Sequence, residues 1–172
     1  AFGYYNNQIK FMWNDKKKSQ GLLLYFSATG FKAWQSLGEL KGYDSNFMKL
    51  IKFMKDKKAR FTRFDVAIDV IDNDLTVDQL HKQLQDKQVF ILDSLERKLS
   101  AKHQKFFGAN KIVTGITCGA RSSDNFLRVY DKKIEQNKAN APYFELAQQC
   151  KSWMRIEGEF KHDAAHAVLE DL

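Results

Sequence analysis

The first part of the chain alternates between short apolar runs and charged segments. Two β-type runs, "NQIKFMWN" (7–14) and "GLLLYFSA" (21–28), enclose the charged turn "DKKKSQG". This pattern predicts a β-hairpin over about residues 8–26. Segments 29–40 and 43–59 then carry apolar residues at helical spacing and predict two amphipathic helices.

The rest of the chain contains four more strand patterns and three more helix patterns. The predicted strands cover 60–72, 111–119, 125–135 and 152–161. The predicted helices cover 75–87, 143–150 and 162–172, and Thr76 is placed to cap the first of them. Segment 96–108 is compatible with either a loop or a strand.

The order of these elements predicts the fold class. Two hairpins without regular strand–helix–strand alternation indicate an α+β fold. We expect a mostly antiparallel sheet of about five or six strands, with helices packed on one face and a site on the other. A length of 172 residues fits a single domain over 1–172. The chain opens without Met and its last residues continue a helical pattern, so we expect it to be part of a longer protein.

Three of the later strands alternate between an apolar and a polar side. In 60–72 the apolar side consists of Phe64, Val66, Ile68 and Val70 and should face the core. The polar sides carry Arg63, Asp65 and Asp69 in the first strand, Arg128, Tyr130 and Lys132 in 125–135, and Trp153, Arg155, Glu157, Glu159 and Lys161 in 152–161. Each polar side has an acid or a phenol near its middle.

These polar sides would form a reactive surface if the three strands were neighbours. Carboxylates crowded together repel unless a cation joins them, and oxygen ligands of this kind suit Mg²⁺ or Mn²⁺. A metal ion polarises a phosphodiester, and a tyrosine beside it can attack phosphorus. Taken singly, each of these acids is more often a solvent-facing partner in a salt bridge, and a strand tyrosine is more often a packing residue.

The charge balance favours a polyanion as partner. The chain carries 28 basic and 21 acidic residues, for a net charge of +7, although a lysine-rich protein without such a partner has the same composition. The small polar tip "GARSSDN" (119–125), with Arg121, Ser122 and Ser123, is a candidate for gripping a phosphate backbone. The basic runs 15–18 and 55–60 are typical of solvated surface, with DNA contact as the less common alternative.

The remaining motifs give no strong indication of another catalytic or metal-binding site. His162 and His166 have an i, i+4 spacing that can bind zinc, but such pairs are commonplace on exposed helix faces. Cys118 and Cys150 lack metal-site spacing and are typical of buried thiols in a reducing compartment. No apolar run approaches the roughly 20 residues of a membrane span. We therefore expect a cytoplasmic protein without membrane contact.

Four motifs together resemble a known family. "SATGFKAW", "RFDVAIDV", "GARSSDNFLRVYDKK" and "WMRIEGEFK" occur in the order found in the Rep_trans replication-initiation-factor family, which comprises rolling-circle plasmid replication initiators and related relaxases of conjugative elements. "RVYDKK" with the downstream W-x-R-x-E is the most specific part, and the resemblance runs from the first hairpin to the closing helix. It implies a nicking and joining enzyme that acts on one DNA strand at an origin and leaves a 5′-phosphotyrosine and a free 3′-hydroxyl.

The resemblance also implies roles for particular residues. It makes Tyr130 the nucleophile and places the acidic ligands of Mg²⁺ or Mn²⁺ among Asp65, Asp69, Glu157 and Glu159. The cations beside them and the polar tip would bind DNA: Arg121, Ser122, Ser123, Arg128, Lys132, Lys133 and Arg155. The histidine pair of other rolling-circle nucleases does not occur, so carboxylates would replace it as ligands.

Three further points stay open at this stage. The chain fits a plasmid initiator slightly better than a conjugative relaxase. A DNA-binding module without catalysis and a metal nuclease that uses water, with Tyr130 only orienting the substrate, are alternatives. DNA is the expected partner, single-stranded at the nick, and a helicase and a second copy of the chain are further candidates.

Overall fold

A computed structural model gives the arrangement of residues 2–4, 7–92, 98 and 103–170. The chain divides into two compact units, Ala1–Ala59 and Arg60–Leu172. Each unit has its own sheet, so the strands that the sequence predicts are shared between two sheets. A single nicking domain over 1–172 stays a prediction. Within the described ranges, no helix combines the length and the hydropathy that a bilayer crossing requires.

The first unit is a three-stranded antiparallel sheet followed by two helices. The predicted hairpin is present as β2 (Ile9–Trp13) and β3 (Leu22–Phe26), and β1 (Phe2–Tyr4) adds a strand beside β2. Helices α1 (Ala28–Lys41) and α2 (Phe47–Asp56) confirm the two helix predictions.

The two helices of the first unit begin at capping side chains. The side chain of Ser27 accepts a hydrogen bond from the Gly30 amide, and that of Asn46 accepts from the Met48 amide. Aromatic rings hold the unit together, with centroids between 5.4 and 6.1 Å apart; they belong to Phe26, Phe31, Trp34 and Phe47.

The second unit is built on a five-stranded sheet in which all neighbours are antiparallel. Its strands are β4 (Arg63–Ile71), β5 (Gln104–Ala109), β6 (Ile112–Cys118), β7 (Asn125–Asp131) and β8 (Trp153–Lys161), in the order β4-β8-β7-β6-β5. Its helices are α3 (Val77–Gln85), α4 (Lys132–Gln136), α5 (Phe144–Gln149) and α6 (His162–Glu170). The α+β fold with a mostly antiparallel sheet is therefore confirmed.

Helix α3 forms the main core of this unit with one face of the sheet. Thr76 caps the helix as predicted, in a capping box with Gln79. The core residues come from α3 and from alternate positions of the three central strands: Val77, Ile116, Cys118, Val129 and Met154. The opposite face of the sheet is therefore free of α3 and carries the polar side chains.

The sequence prediction for the apolar side of β4 is only partly right. Val70 packs against the core, but Val66 is 37% and Ile68 is 59% exposed. The reason is that β4 is an edge strand of the sheet, and an edge strand lies farther from the helix that covers the centre. The alternation of apolar residues correctly predicted which face of the sheet these side chains share. It wrongly predicted that all of them would be buried.

The end of β7 also differs from the prediction. The sequence suggested a strand through residue 135, but β7 ends at Asp131, whose carboxylate accepts a hydrogen bond from the Ile134 amide at 2.9 Å and caps α4. Segment 96–108 contributes the start of β5 from residue 104, and its residues 96, 97 and 99–102 lie outside the described ranges.

Helices α4 and α5 follow β7, and the second cysteine lies beside them. Cys150 forms a small buried cluster with Ala147 and Trp153, and both cysteines are free and buried as expected. Burial raises the pKa of the Cys118 thiol to about 11.

Candidate active site

The three polar strand sides converge on one face of the second sheet. Strand β8 lies between β4 and β7, so its side chains meet both neighbours. The cross-strand rows on this face are Asp65–Glu159, Ala67–Glu157–Arg128 and Asp69–Arg155–Tyr130. Directly paired residues of antiparallel strands point to the same side of the sheet. The structure thus brings together the tyrosine, the four carboxylates and two of the predicted cations.

Tyr130 lies at the centre of this surface and is 6% exposed. Its hydroxyl group donates a hydrogen bond of 2.7 Å to Oε1 of Glu157. The guanidinium carbon of Arg128 lies 4.0 Å from the centroid of the tyrosine ring. Burial, and then the hydrogen bond to Glu157, raise the pKa of the phenol well above its usual value. The phenol is therefore protonated at neutral pH and already has a carboxylate positioned to take its proton.

Lys132 lies beside the phenol but is not the exposed strand residue that alternation suggested. It is the first residue of α4, is 6% exposed, and places Nζ 3.4 Å from the Tyr130 hydroxyl oxygen. It also forms an ion pair with Glu135, one turn along the same helix. Lys132 is thus a buried, ion-paired group beside the phenol rather than an exposed side chain on the surface of the strand.

Sequence reasoning did not find Glu135. The available signals were Asp131 as a helix cap and the i, i+3 spacing of Lys132 and Glu135.

Asp69 and Arg155 form a closed pair at one end of the surface. Arg155 donates two hydrogen bonds to Asp69, of 2.7 and 2.6 Å, and Nε1 of Trp153 donates a third at 2.6 Å. The Arg155 bonds are the main reason that the pKa of Asp69 is lowered, and the Trp153 bond adds to this against the effect of burial. Both oxygens of Asp69 are thus occupied, and its evident effect is to fix the position of Arg155.

Asp65 and Glu159 form a different arrangement at the other end. Arg63 Nη2 lies 2.7 Å from an oxygen of each, so the two carboxylates share one cation. Nζ of Lys161 is a second cation, 2.7 Å from Glu159. Asp65 is more than half exposed, and Glu157 lies two positions before Glu159 on the same side of β8.

The donor chemistry of this end fits a hard divalent cation. Mg²⁺ is usually held by one or two carboxylates, with water and substrate phosphate completing its shell. Asp65 and Glu159 are such a pair of neighbouring carboxylates. Among residues 2–4, 7–92, 98 and 103–170, no three His, Cys, Asp or Glu side chains gather into a larger metal-binding group. Within the described residues, the acidic side chains at this end that could hold such an ion are therefore this pair.

The predicted DNA-binding residues outside the sheet differ in whether their side chains are exposed or already hydrogen-bonded within the chain. Arg121 and Ser122 are exposed in the tip between β6 and β7, whereas Ser123 contacts the carbonyl oxygens of Ala120 and Asn125 and shapes the turn. Lys161 donates to the carbonyl oxygen of Arg121 and connects this tip to the acidic end of the face.

Two other candidates are occupied by structural hydrogen bonds. Nζ of Lys133 donates to the carbonyl oxygens of Cys150 and Lys151, at 2.7 and 3.2 Å, after the end of α5. Nε2 of His166 accepts a hydrogen bond of 3.1 Å from the Phe61 amide, so this histidine joins α6 to the start of β4.

Comparison with known proteins finds a family match over the region of the chain that contains this site. The family model described as Replication initiation factor (Rep_trans) matches residues 59–172, which is more than half of the chain. A curated relative, "Putative DNA relaxase NicK" of Bacillus subtilis (strain 168), is 25% identical over 173 residues, covering 98% of this chain and 46% of the relative.

A solved structure has a similar fold. The rolling circle replication initiator protein from Geobacillus stearothermophilus superposes with a TM-score of 0.57 at 22% identity, covering 88% of this chain and 51% of that chain. The chain thus spans about half the length of the proteins it matches.

Proposed function

The chain belongs to the Rep_trans replication initiation factor family, and on that premise we propose that it nicks and rejoins one strand of DNA through a covalent tyrosine intermediate. Tyr130 is the nucleophile in this proposal. The observation that carries it is the 2.7 Å hydrogen bond from the Tyr130 hydroxyl to Glu157, on a face where cations surround both groups.

The proposed chemistry is a transfer of the phosphodiester from the DNA to the phenol. The Tyr130 oxygen attacks phosphorus, and its proton passes to the carboxylate of Glu157 as the new bond forms. The bond from phosphorus to the 3′-oxygen breaks, and that oxygen leaves and takes up a proton as a free 3′-hydroxyl. The 5′-phosphate stays on Tyr130, so the bond energy is retained and the reverse reaction rejoins a strand.

The cations of the site stabilise the negative charge that develops during this reaction. Arg128 stacks on the phenol ring, and Lys132 lies 3.4 Å from the phenol oxygen, so both stabilise negative charge that develops there. Arg155 is held in place by Asp69 and lies in the same cross-strand row as Tyr130. Arg121 and Ser122 are placed to contact the backbone farther along the strand.

Asp65 and Glu159 would hold Mg²⁺ or Mn²⁺ when it is bound, with Glu157 nearby on the same side of β8. The ion would supply Lewis-acid polarisation of the phosphodiester and neutralise its charge. Arg63 and Lys161 hold the two carboxylates in position until then. In this proposal Asp69 acts on Arg155 and is not a direct ligand.

The wider setting belongs to the same proposal. The Bacillus subtilis relative carries the name of a DNA relaxase, whereas the Geobacillus stearothermophilus protein is a rolling circle replication initiator. Both uses need the same nicking chemistry. A cytoplasmic location, a helicase as partner and a homodimer remain part of what we propose for the whole protein.

The test is a search for the covalent adduct. The protein is incubated with Mn²⁺ and labelled DNA from the replicon or element that encodes it, supercoiled or single-stranded, and the products are run on a denaturing gel. We expect a protein–DNA adduct that disappears in Tyr130→Phe and persists in the control Tyr43→Phe, whose phenol is 72% exposed and lies in the first unit.

The other outcomes separate the alternatives. Cleavage that persists in Tyr130→Phe would mean that water attacks and that Tyr130 only orients the substrate. DNA binding with neither cleavage nor adduct would make the chain a binding module.

A further inference from the structure

Phe107 of β5 lies in register with the proposed nucleophile. Phe107 pairs with Gly115 of β6, and Gly115 pairs with Tyr130 of β7, so the three residues form one row on the same face of the sheet. Neighbouring strands lie about 4.7–4.9 Å apart, which places the backbone of Phe107 about 10 Å from that of Tyr130 along the row. That distance is short enough for adjacent nucleotides to bridge.

Gly115 lies between Phe107 and Tyr130 in this row and is itself buried. A Cβ atom at this position would lie 3.7 Å from Cβ of Phe107 and 3.9 Å from Cβ of Tyr130. Because glycine has no side chain, nothing on β6 stands between the phenylalanine and the tyrosine in this row. The ring of Phe107 therefore reaches over the β6 backbone toward Tyr130, with Cδ2 3.9 Å from the same Cβ position, and a flat ligand would rest on the exposed part of that ring.

Phe107 is exposed although it is a large apolar side chain. Its exposed fraction is 54%, against 6% for Tyr130 in the same row. A single exposed phenylalanine needs no explanation by itself. Its position in the same cross-strand row as Tyr130 does need an explanation, and so does the β-bulge beside it.

A β-bulge lies directly beside Phe107, with Thr114 of β6 as the extra residue. The register between β5 and β6 shifts between Phe107 and Gly108. At Gly108 the two strands come so close that a Cβ atom would lie 1.9 Å from the carbonyl oxygen of Ile112. Only glycine fits there, and bulges of this kind commonly re-aim a side chain next to an active site.

A cationic row runs beside the aromatic one. Lys105 pairs with Thr117, Thr117 pairs with Arg128, and Arg128 pairs with Glu157. Lys105 is exposed and the Arg128 side chain is 38% exposed. Aromatic rings that stack on bases, next to cations that follow the phosphates, are how proteins bind single-stranded nucleic acid.

We propose that Phe107 is a stacking platform for a nucleobase of single-stranded DNA next to the phosphodiester that Tyr130 attacks, with Lys105 and Arg128 binding the adjacent phosphates. This proposal rests on the proposed function for the identity of the ligand. It adds a subsite that holds one base in a fixed place and so aligns the neighbouring phosphodiester with the phenol.

The neighbouring Phe106 is a matched control within the same strand. It points to the opposite face, where its ring lies 4.3 Å from the ring of His81 on α3. The two phenylalanines are adjacent, both partly exposed, and differ in the face they serve. Removing either side chain should change the sheet to a similar extent, but only Phe107 should affect DNA.

The experiment measures binding without chemistry, in the Tyr130→Phe background. The probe is a fluorescein-labelled oligodeoxythymidylate of about 12 nucleotides, a length within the roughly 4–16 nucleotides that a single-strand-binding fold covers. Fluorescence anisotropy gives the dissociation constant. We expect Phe107→Ala to weaken binding about 5- to 150-fold, Phe107→Trp to retain it, and Phe106→Ala to change it less than about twofold.

An abasic oligomer of the same length isolates the stacking. It keeps the phosphates and lacks the bases, so the Tyr130→Phe protein with and without Phe107→Ala should bind it equally. An equal loss on both oligomers, or equal effects of Phe107→Ala and Phe106→Ala, would overturn the proposal. Phe107→Leu keeps an apolar side chain of similar size, so it provides the same test if the alanine variant is unstable, and it should also bind the thymidylate more weakly.

A parallel adduct assay keeps this inference separate from the proposed function. If the protein with Tyr130 forms the adduct and Phe107→Ala binds the thymidylate like the parent, the stacking platform is wrong and the nicking function stands. If no adduct forms and Phe107→Ala still loses base-dependent binding, the nicking function fails and the platform belongs to a DNA-binding module.

Discussion

The Tyr130 hydroxyl and the Glu157 carboxylate lie 2.7 Å apart, although 27 positions separate the two residues in the chain. They are not direct cross-strand partners, since Tyr130 pairs with Arg155 and Glu157 pairs with Arg128. The contact is therefore diagonal between β7 and β8, a distance that long and aromatic side chains can span. It gives Glu157 the geometry of a general base for the phenol.

We expect Glu157→Gln to slow formation of the DNA adduct about 10²- to 10⁴-fold. Glutamine can still accept the hydrogen bond from Tyr130, so the site keeps its shape, but an amide does not take up the phenol proton. The measurement is the single-turnover rate of adduct formation at saturating Mn²⁺. DNA binding, measured in the same variant, is the control and should be retained.

A titration with Mn²⁺ distinguishes a base from a metal ligand at this position. If Glu157 is the base, the rate of the Gln variant falls while its half-maximal Mn²⁺ concentration stays the same. A rate that recovers at high Mn²⁺ would contradict the role as base and make Glu157 a ligand.

Asp65→Asn should raise the Mn²⁺ concentration needed for half-maximal cleavage at least about tenfold. Loss of an outer-shell partner already lowers metal affinity about 10–100-fold, so loss of a direct ligand should have at least that effect. Asp69→Asn is the comparison, because Arg155 and Trp153 already bind its carboxylate. Its Mn²⁺ midpoint should stay unchanged, and a shift as large as that of Asp65→Asn would place Asp69 among the ligands.

Asp69→Asn should instead lower the free energy of unfolding, by about 1–2 kcal/mol at pH 7, since charge-assisted hydrogen bonds contribute about this much when partly exposed. The folded state lowers the pKa of Asp69, chiefly through Arg155. This stabilisation is thus present above the ordinary value of about 3.9 and lost as the pH falls through the lower, folded-state pKa.

Urea unfolding at pH 7 and at pH 3 measures this dependence. The difference between the parent and Asp69→Asn should shrink at the lower pH. A difference that is the same at both values would mean that the ionised carboxylate is not what stabilises the fold. Asp65→Asn serves as the control, and its effect should be smaller because its ion pair with Arg63 is more than half exposed.

Much of this fold follows from local patterns in the sequence. The alternation in 60–72 and 152–161 predicted strands β4 and β8 and the side of the sheet on which each residue lies. Thr76 marked the start of α3, and the first hairpin was recognisable from its charged turn. These features depend on neighbours a few positions away, which is why the residues themselves reveal them.

Other features depend on contacts that the sequence does not encode locally. Lys132 continued an alternating pattern, yet Asp131 capped a helix there and the lysine became buried beside Tyr130. Val66 and Ile68 had a core pattern, yet they lie on an edge strand and stay exposed. Both errors have one cause, since burial is set by what the rest of the fold places over a residue.

The sequence by itself determined which side chains could share a face, because successive side chains of a pleated strand point to opposite sides. It thereby indicated Tyr130 and the four carboxylates of Asp65, Asp69, Glu157 and Glu159 as a candidate set. Only the tertiary structure decided that β8 lies between β4 and β7, that Glu157 rather than Asp69 meets the phenol, and that Phe107 lies in the same row as Tyr130. Strand order joins segments far apart in the chain through backbone hydrogen bonds, and every strand can form such bonds with any other, so the pattern within one strand does not specify its neighbour.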